Sequence, residues 1–175
     1  MVHYRRNRLP GGTFFFTVVL RDHAATLLVD HVEPLRAAFR HVRRQRPFVI
    51  DAMVVLPDHL HAIWTLPPGD ADYAGRWRAI KSRFTRTLAG LGIALPKNAR
   101  GEYALWQPRF WEHTIRNETD LTRHVDYIHY NPVKHGHVTT VAHWPYSSFH
   151  RYVRAGLYPP DWSGCLQEHA GIGNE

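Results

Sequence analysis

Val54-Val55-Leu56-Pro57-Asp58-His59-Leu60-His61-Ala62-Ile63-Trp64-Thr65-Leu66 is the stretch on which the reading of this chain turns. Two β-prone runs are joined by Pro57-Asp58, a pair that suits a turn, so the stretch reads as a hairpin. Side chains of a strand alternate faces, which puts His59 and His61 on one side. Leu60, Ala62, Trp64 and Leu66 then share the other side and are available for burial. A strand that buries one face and presents two imidazoles on the other can hold a divalent metal. Two imidazoles with no metal account for the same pattern, so the rest of the chain has to decide.

Working outward, Thr13-Phe14-Phe15-Phe16-Thr17-Val18-Val19-Leu20 is aromatic and β-branched and reads as a buried strand after the Gly11-Gly12 break. Asp30 with Glu33 three residues later resembles a capping box that opens a helix. Val32, Leu35, Phe39 and Val42 give that helix its apolar stripe. Phe48 to Leu56 makes the second strand, and the opening stretch supplies the turn and the third. Pro67-Pro68-Gly69-Asp70 breaks the chain before a helix over Tyr73–Leu88, striped by Trp77, Ile80, Phe84 and Leu88. Residues 89–105 read as a loop and Gln107–Ile115 as a fourth strand. Asn117 then caps a third long helix that ends near Asn131-Pro132.

Strand, helix, strand, strand, helix, strand and a further helix is the order of a split βαβ. The expected class is α+β: a ferredoxin-like antiparallel sheet with two helices on one face. An additional helix covers the other face, and a C-terminal extension follows from about residue 138. All 175 residues are expected to form one domain, without repeats.

The charge balance narrows the partner. Twenty-two Lys and Arg against 15 Asp and Glu give a net charge of +7, which favours a polyanion. Six Trp, eight Tyr and eight Phe lie among the arginines, and rings can stack on unpaired bases while arginines hold phosphates. The helix over 73–88 carries Arg76, Arg78, Lys81, Arg83 and Arg86 with no acidic residue after Asp72. These five, the Arg5, Arg6 and Arg8 cluster at the N-terminus, Arg109 and Lys134 are the candidate nucleic-acid contacts. Cys165 is the only cysteine, which excludes an intrachain disulfide and cysteine-based zinc knuckles. No stretch has the length of a membrane span, and the expected location is cytoplasmic, nucleoid-associated when acting on DNA.

On the third long helix, Leu121, Val125 and Ile128 form the packing stripe. Tyr127 and Asn131 lie one turn apart on its flank, with His124 close by in azimuth. If the stripe docks on the open sheet face, that flank meets the imidazoles of the third strand. A metal pair, a further ligand and a tyrosine hydroxyl then converge, a set suited to phosphodiester cleavage through a covalent link. His135-Gly136-His137 reads as a helix end, and His113 and His129 as surface or packing histidines.

The chain resembles the REP-associated tyrosine transposases, relatives of the single-tyrosine HUH transposases that mobilise insertion sequences as single strands. The resemblance rests on Tyr4-Arg5-Arg6, Gly11-Gly12-Thr13-Phe14-Phe15-Phe16-Thr17-Val18, the opening stretch through Pro67, and Arg76-Trp77-Arg78-Ala79-Ile80-Lys81. It continues through Trp106–His113, His124-Val125-Asp126-Tyr127-Ile128-His129-Tyr130-Asn131-Pro132, Trp144–Arg151 and Gly156–Pro159. It implies His59 and His61 as metal ligands, Asn131 as a third polar ligand, and Tyr127 as nucleophile. It also implies Mg²⁺ or Mn²⁺ as the cofactor. The implied substrate is single-stranded DNA folded as the hairpin of a repetitive extragenic palindrome (REP or BIME-like), handled by a monomer. The expected function is therefore DNA nicking and strand transfer through a 5′-phosphotyrosine. A non-catalytic binder of single-stranded or hairpin nucleic acid, and a hydrolase in which water attacks, remain open beside it.

Overall fold

The alternation of Phe14, Phe15 and Phe16 assigns the two faces of the sheet. A computed structural model describes residues 7–164 and places Thr13–Val19 in β1, between two antiparallel neighbours. Phe14, Phe16 and Val18 enter one apolar cluster and Phe15 enters another on the opposite face. The remaining strands are β2 (Val49–Val55), β3 (His59–Thr65) and β4 (Trp111–Thr114). Their order in the sheet is β2-β3-β1-β4, with every pairing antiparallel. The expected α+β class and split βαβ arrangement are therefore present.

One face carries the larger core. A short helix α1 (Leu27–Asp30) leads into α2 (Val32–Gln45), and α3 spans Tyr73–Gly90. Leu35, Phe39 and Val42 of α2 and Trp77, Ile80, Phe84 and Leu88 of α3 pack on Leu60, Ala62 and Trp64 of β3. Trp64 and Trp77 stack with ring centroids 4.1 Å apart. Each such side chain withdrawn from water contributes roughly 1.5–3 kcal/mol. The opposite face receives α4 (Glu118–Lys134), whose Val125, Tyr127 and Ile128 meet Phe15, Ala52, Val54 and Ile63.

The helix ends depart from expectation in two places. Asp30 does not cap α2: it closes α1 and accepts from the Thr26 hydroxyl at 2.5 Å, while His31 takes the cap position without a side-chain bond. Glu33 pairs instead with Arg36 one turn on. At the far end, α4 runs through Pro132 to Lys134. A proline costs only one backbone bond and its ring clash there, and the helix ends within three residues, so the buried face carries it one turn further. The Asn117 side chain does cap α4, accepting from the Asp120 N–H at 2.9 Å.

The fourth strand is shorter than Gln107–Ile115. Pro108 interrupts it, so β4 proper pairs Trp111–Thr114 with β1. The same edge resumes as an isolated Leu20–Trp106 bridge and a bond from Gln107 N–H to Val19 O. After the single 3₁₀ turn Val141–His143, residues 146–148 lie along the outer edge of β2. Val55 N–H donates to Tyr146 O and Ser148 N–H to Met53 O. That covering leaves less of the edge open to pairing with another strand. Helix α5 (Phe149–Arg154) follows.

Candidate active site

The two histidines of β3 lie on the α4 face, as the alternation requires. His61 is fully buried and His59 nearly so. Each ring is held through Nδ1: Thr17 Oγ1 lies 2.9 Å from that atom of His61, and Asp58 Oδ1 lies 2.7 Å from that of His59. Thr17 faces His61 directly across the β1–β3 ladder. Burial pushes the Asp58 carboxyl up, but hydrogen bonds from His59 and His23 and the charge of His59 outweigh it and hold it below the usual range. A carboxylate or hydroxyl on one ring nitrogen is the usual way to aim the other at a metal. A metal held by this pair would accordingly meet Nε2.

Helix α4 brings the remaining groups. The Tyr127 ring lies 5.2 Å from that of His61 and 5.9 Å from that of Phe15. Asn131, one turn further, is fully buried, and its amide nitrogen and oxygen have no hydrogen-bond partner among the described residues. A buried amide left unmatched costs roughly 1–3 kcal/mol, which a cation on its oxygen would offset. Two imidazoles anchored through Nδ1 and an unmatched buried amide fit a divalent ion.

Two residues of this site carry roles not assigned to them from the sequence. Lys134 was expected to touch DNA, yet its ammonium donates to the Tyr127 hydroxyl at 3.1 Å and stands 4.9 Å from the ring centroid. Seven residues are two helical turns, so the spacing itself carried that hint. His135, read as part of a helix end, is the cap of α4, and its ring lies 5.1 Å from that of His59. Gly136 follows at φ +71°, a conformation glycine adopts freely, and turns the chain away. Nothing local in the sequence marks that approach.

The other candidate contacts divide. Arg8, Arg78, Arg83, Arg86 and Arg109 are exposed. Arg5 and Arg6 lie outside the described residues. Arg76 is a correction: only 2% exposed, it holds both carboxylate oxygens of Asp70 and donates to the carbonyls of Arg46, Pro47 and Asp72. It faces inward because the α2–β2 and β3–α3 connections meet there and need their carbonyls satisfied. Lys81 is half-buried with its ammonium on Gln107 O at 3.1 Å.

A second group lies at the start of α4. His113, Asp120 and His124 bring donor atoms within 4.8 Å of one another, a spacing that could hold a metal ion. Arg116 already donates to Asp120 Oδ2 at 3.1 Å, and His113 shares that oxygen at 2.9 Å. Burial raises the Asp120 carboxyl, but those bonds prevail and hold it well below the usual range. The group reads as a clamp between β4 and α4. His129, by contrast, is a packing histidine, fully buried and ringed by Phe149, Tyr152 and Tyr158.

With this geometry in place, likeness to known proteins is decisive. The chain is 53% identical over 168 residues to a REP-associated tyrosine transposase of Escherichia coli K12, covering 96% of this chain and 94% of that one. It belongs to the REP-associated tyrosine transposase family. A Haemophilus influenzae relative bearing the same family name is 46% identical over 166 residues, 94% of each chain. A solved REP-associated tyrosine transposase, described as bound to a REP hairpin, superposes with a TM-score of 0.84 at 52% identity, over 95% of this chain and 94% of that one. No family model matches the chain. For a tyrosine transposase the position of the tyrosines matters. Among the described residues, Tyr127 has ring contact with a histidine of β3, whereas Tyr152 and Tyr158 pack around His129.

Proposed function

We propose that this REP-associated tyrosine transposase is a metal-dependent single-stranded DNA endonuclease and strand transferase. Its substrate is the hairpin of a repetitive extragenic palindrome, cleaved through a 5′-phosphotyrosine. The observation that carries the reading is the contact between the Tyr127 and His61 rings across the α4–β3 interface, 5.2 Å between centroids. That contact supports a tyrosine nucleophile working beside a histidine pair anchored through Nδ1.

His59, His61 and Asn131 would hold the metal, Mg²⁺ or Mn²⁺. When bound, it supplies Lewis-acid neutralisation of the phosphate and of the departing oxygen. Tyr127 Oη attacks phosphorus, the P–O3′ bond breaks, and the tyrosine proton is lost as the 3′ oxygen gains one to become a hydroxyl. Lys134, on the attacking oxygen, orients it and offsets the anionic charge that gathers there. Rejoining reverses the bond changes with a new 3′-hydroxyl, so the phosphotyrosine conserves the bond energy. Tyrosine and histidines come from one chain, which supports action as a monomer on its own tyrosine; the mass of the complex in solution tests that.

Labelled hairpin DNA with a wild-type and a Tyr127→Phe protein decides the chemistry on one denaturing gel. A covalent adduct is expected for wild type and none for the variant. Cleavage without any adduct would point to water as nucleophile, and hairpin binding with neither product would leave a binding protein.

A further inference from the structure

Outside the tyrosine site, cationic and aromatic side chains meet in a cleft between α3 and the segment leading into β4. Its volume is about 450 Å³, inside the range typical of ligand clefts. Trp77, Arg78, Lys81 and Arg86 line it from α3, Trp106 and Phe110 from the segment before β4, and no carboxylate lines it. The cleft is also built. Lys81 is fixed by Gln107 O, and its ammonium stands 5.6 Å from the ring centroids of both Trp106 and Phe110. The Trp106 indole N–H donates to Thr85 Oγ1 at 3.2 Å. Rings and a cation set in place beforehand, with two exposed arginines at the rim, are what an unpaired base and its phosphate require.

Position adds a second argument. Trp106 and Phe110 pack toward the α2–α3 layer. Trp111 packs on the opposite face, its ring 5.7 Å from that of Phe15, which in turn lies 5.9 Å from that of Tyr127. The cleft and the tyrosine thus lie on opposite faces of the sheet beside its β4 edge, and exposed Arg109 belongs to the segment that joins the two at Phe110 and Trp111. A polar chain runs from the cleft toward the site as well. Gln107 Nε2 is 3.4 Å from His23 Nε2, His23 Nδ1 is 3.0 Å from Asp58, and Asp58 holds His59.

We propose that this cleft binds one unpaired nucleotide of the substrate strand, its base against Trp106 and its phosphate on Arg78 and Arg86. The strand then crosses the sheet edge at Arg109 to reach Tyr127. The inference rests on the single-stranded DNA reading above and gives it a path. Binding is compared for a blunt hairpin and one carrying an unpaired flank, in a Tyr127→Phe background so that no adduct forms. Adding Arg78→Ala and Arg86→Ala is expected to weaken the flanked hairpin roughly tenfold more than the blunt one. An equal loss on both, no loss on either, or a larger loss on the blunt hairpin overturns the cleft. Iodouracil placed along the flank is expected to cross-link to the 103–110 segment, and cross-links confined to α4 would also overturn it. Both readouts measure binding, so they stand apart from the covalent chemistry. A wild-type adduct that forms while the flank makes no difference retires the cleft alone.

Discussion

Lys134 donates to the hydroxyl of Tyr127 across two turns of the same helix, at 3.1 Å. The link is rigid because both residues sit on α4, whose buried face is fixed against β2 and β3. Lys134→Met is expected to slow adduct formation by roughly a hundredfold while hairpin affinity changes far less. Lys134→Arg should recover part of the rate, since charge returns without the same reach. A single-turnover time course reads this, and an unchanged rate for the methionine variant would remove Lys134 from the chemistry.

Thr17 and Asp58 contact Nδ1 of His61 and of His59, the two histidines proposed to hold the metal. Thr17→Val keeps shape and removes the hydroxyl, and Asp58→Asn keeps size and removes the charge. Each is expected to weaken Mn²⁺ binding about 10- to 100-fold. Calorimetric titration of the protein without DNA measures it directly, with His61→Ala as the reference for a lost ligand.

Arg76 belongs to stability. Its guanidinium is buried against Asp70, and three backbone carbonyls depend on it. Arg76→Ala is expected to cost about 3 kcal/mol, toward the low end for a broken buried pair because Asp70 is partly solvated. A urea midpoint reports the loss. Hairpin affinity, measured where the variant is still folded, should move little; a tenfold loss there would restore Arg76 to the DNA surface.

Acid should loosen the C-terminal packing through His129. Burial first, then the charges of Arg151 and His150, push its imidazole down from 6.5 to about 3. The unfolded chain then binds more protons than the folded one between those values. Stability is complete above about 6.5 and falls as pH drops through that window, by about 1.4 kcal/mol per pH unit at most. His129→Gln is expected to flatten the pH dependence of the urea midpoint between pH 6 and 4. A slope equal to that of wild type would count against the assignment.

Much of the fold was legible in the residue order. The aromatic and β-branched run Thr13–Leu20, the alternating faces of the strand that opens at His59 and the 3.6 period in 73–88 are local signals, and strand geometry places His59 and His61 on one face before any contact is known. Proline and cap effects were legible only in part, since Pro132 and Asp30 were overruled by packing that no short window contains. The pairing of Tyr127 with His61 could be anticipated only as a condition, that α4 docks by its apolar stripe on the open face. Tertiary structure alone decided which arginine turns inward and that His135 approaches His59. It also decided that Trp106 and Trp111 fall on opposite faces of one edge. Strand faces follow from bonds between neighbours in sequence, whereas side-chain partners depend on which distant carbonyls and carboxylates the folded chain leaves within reach.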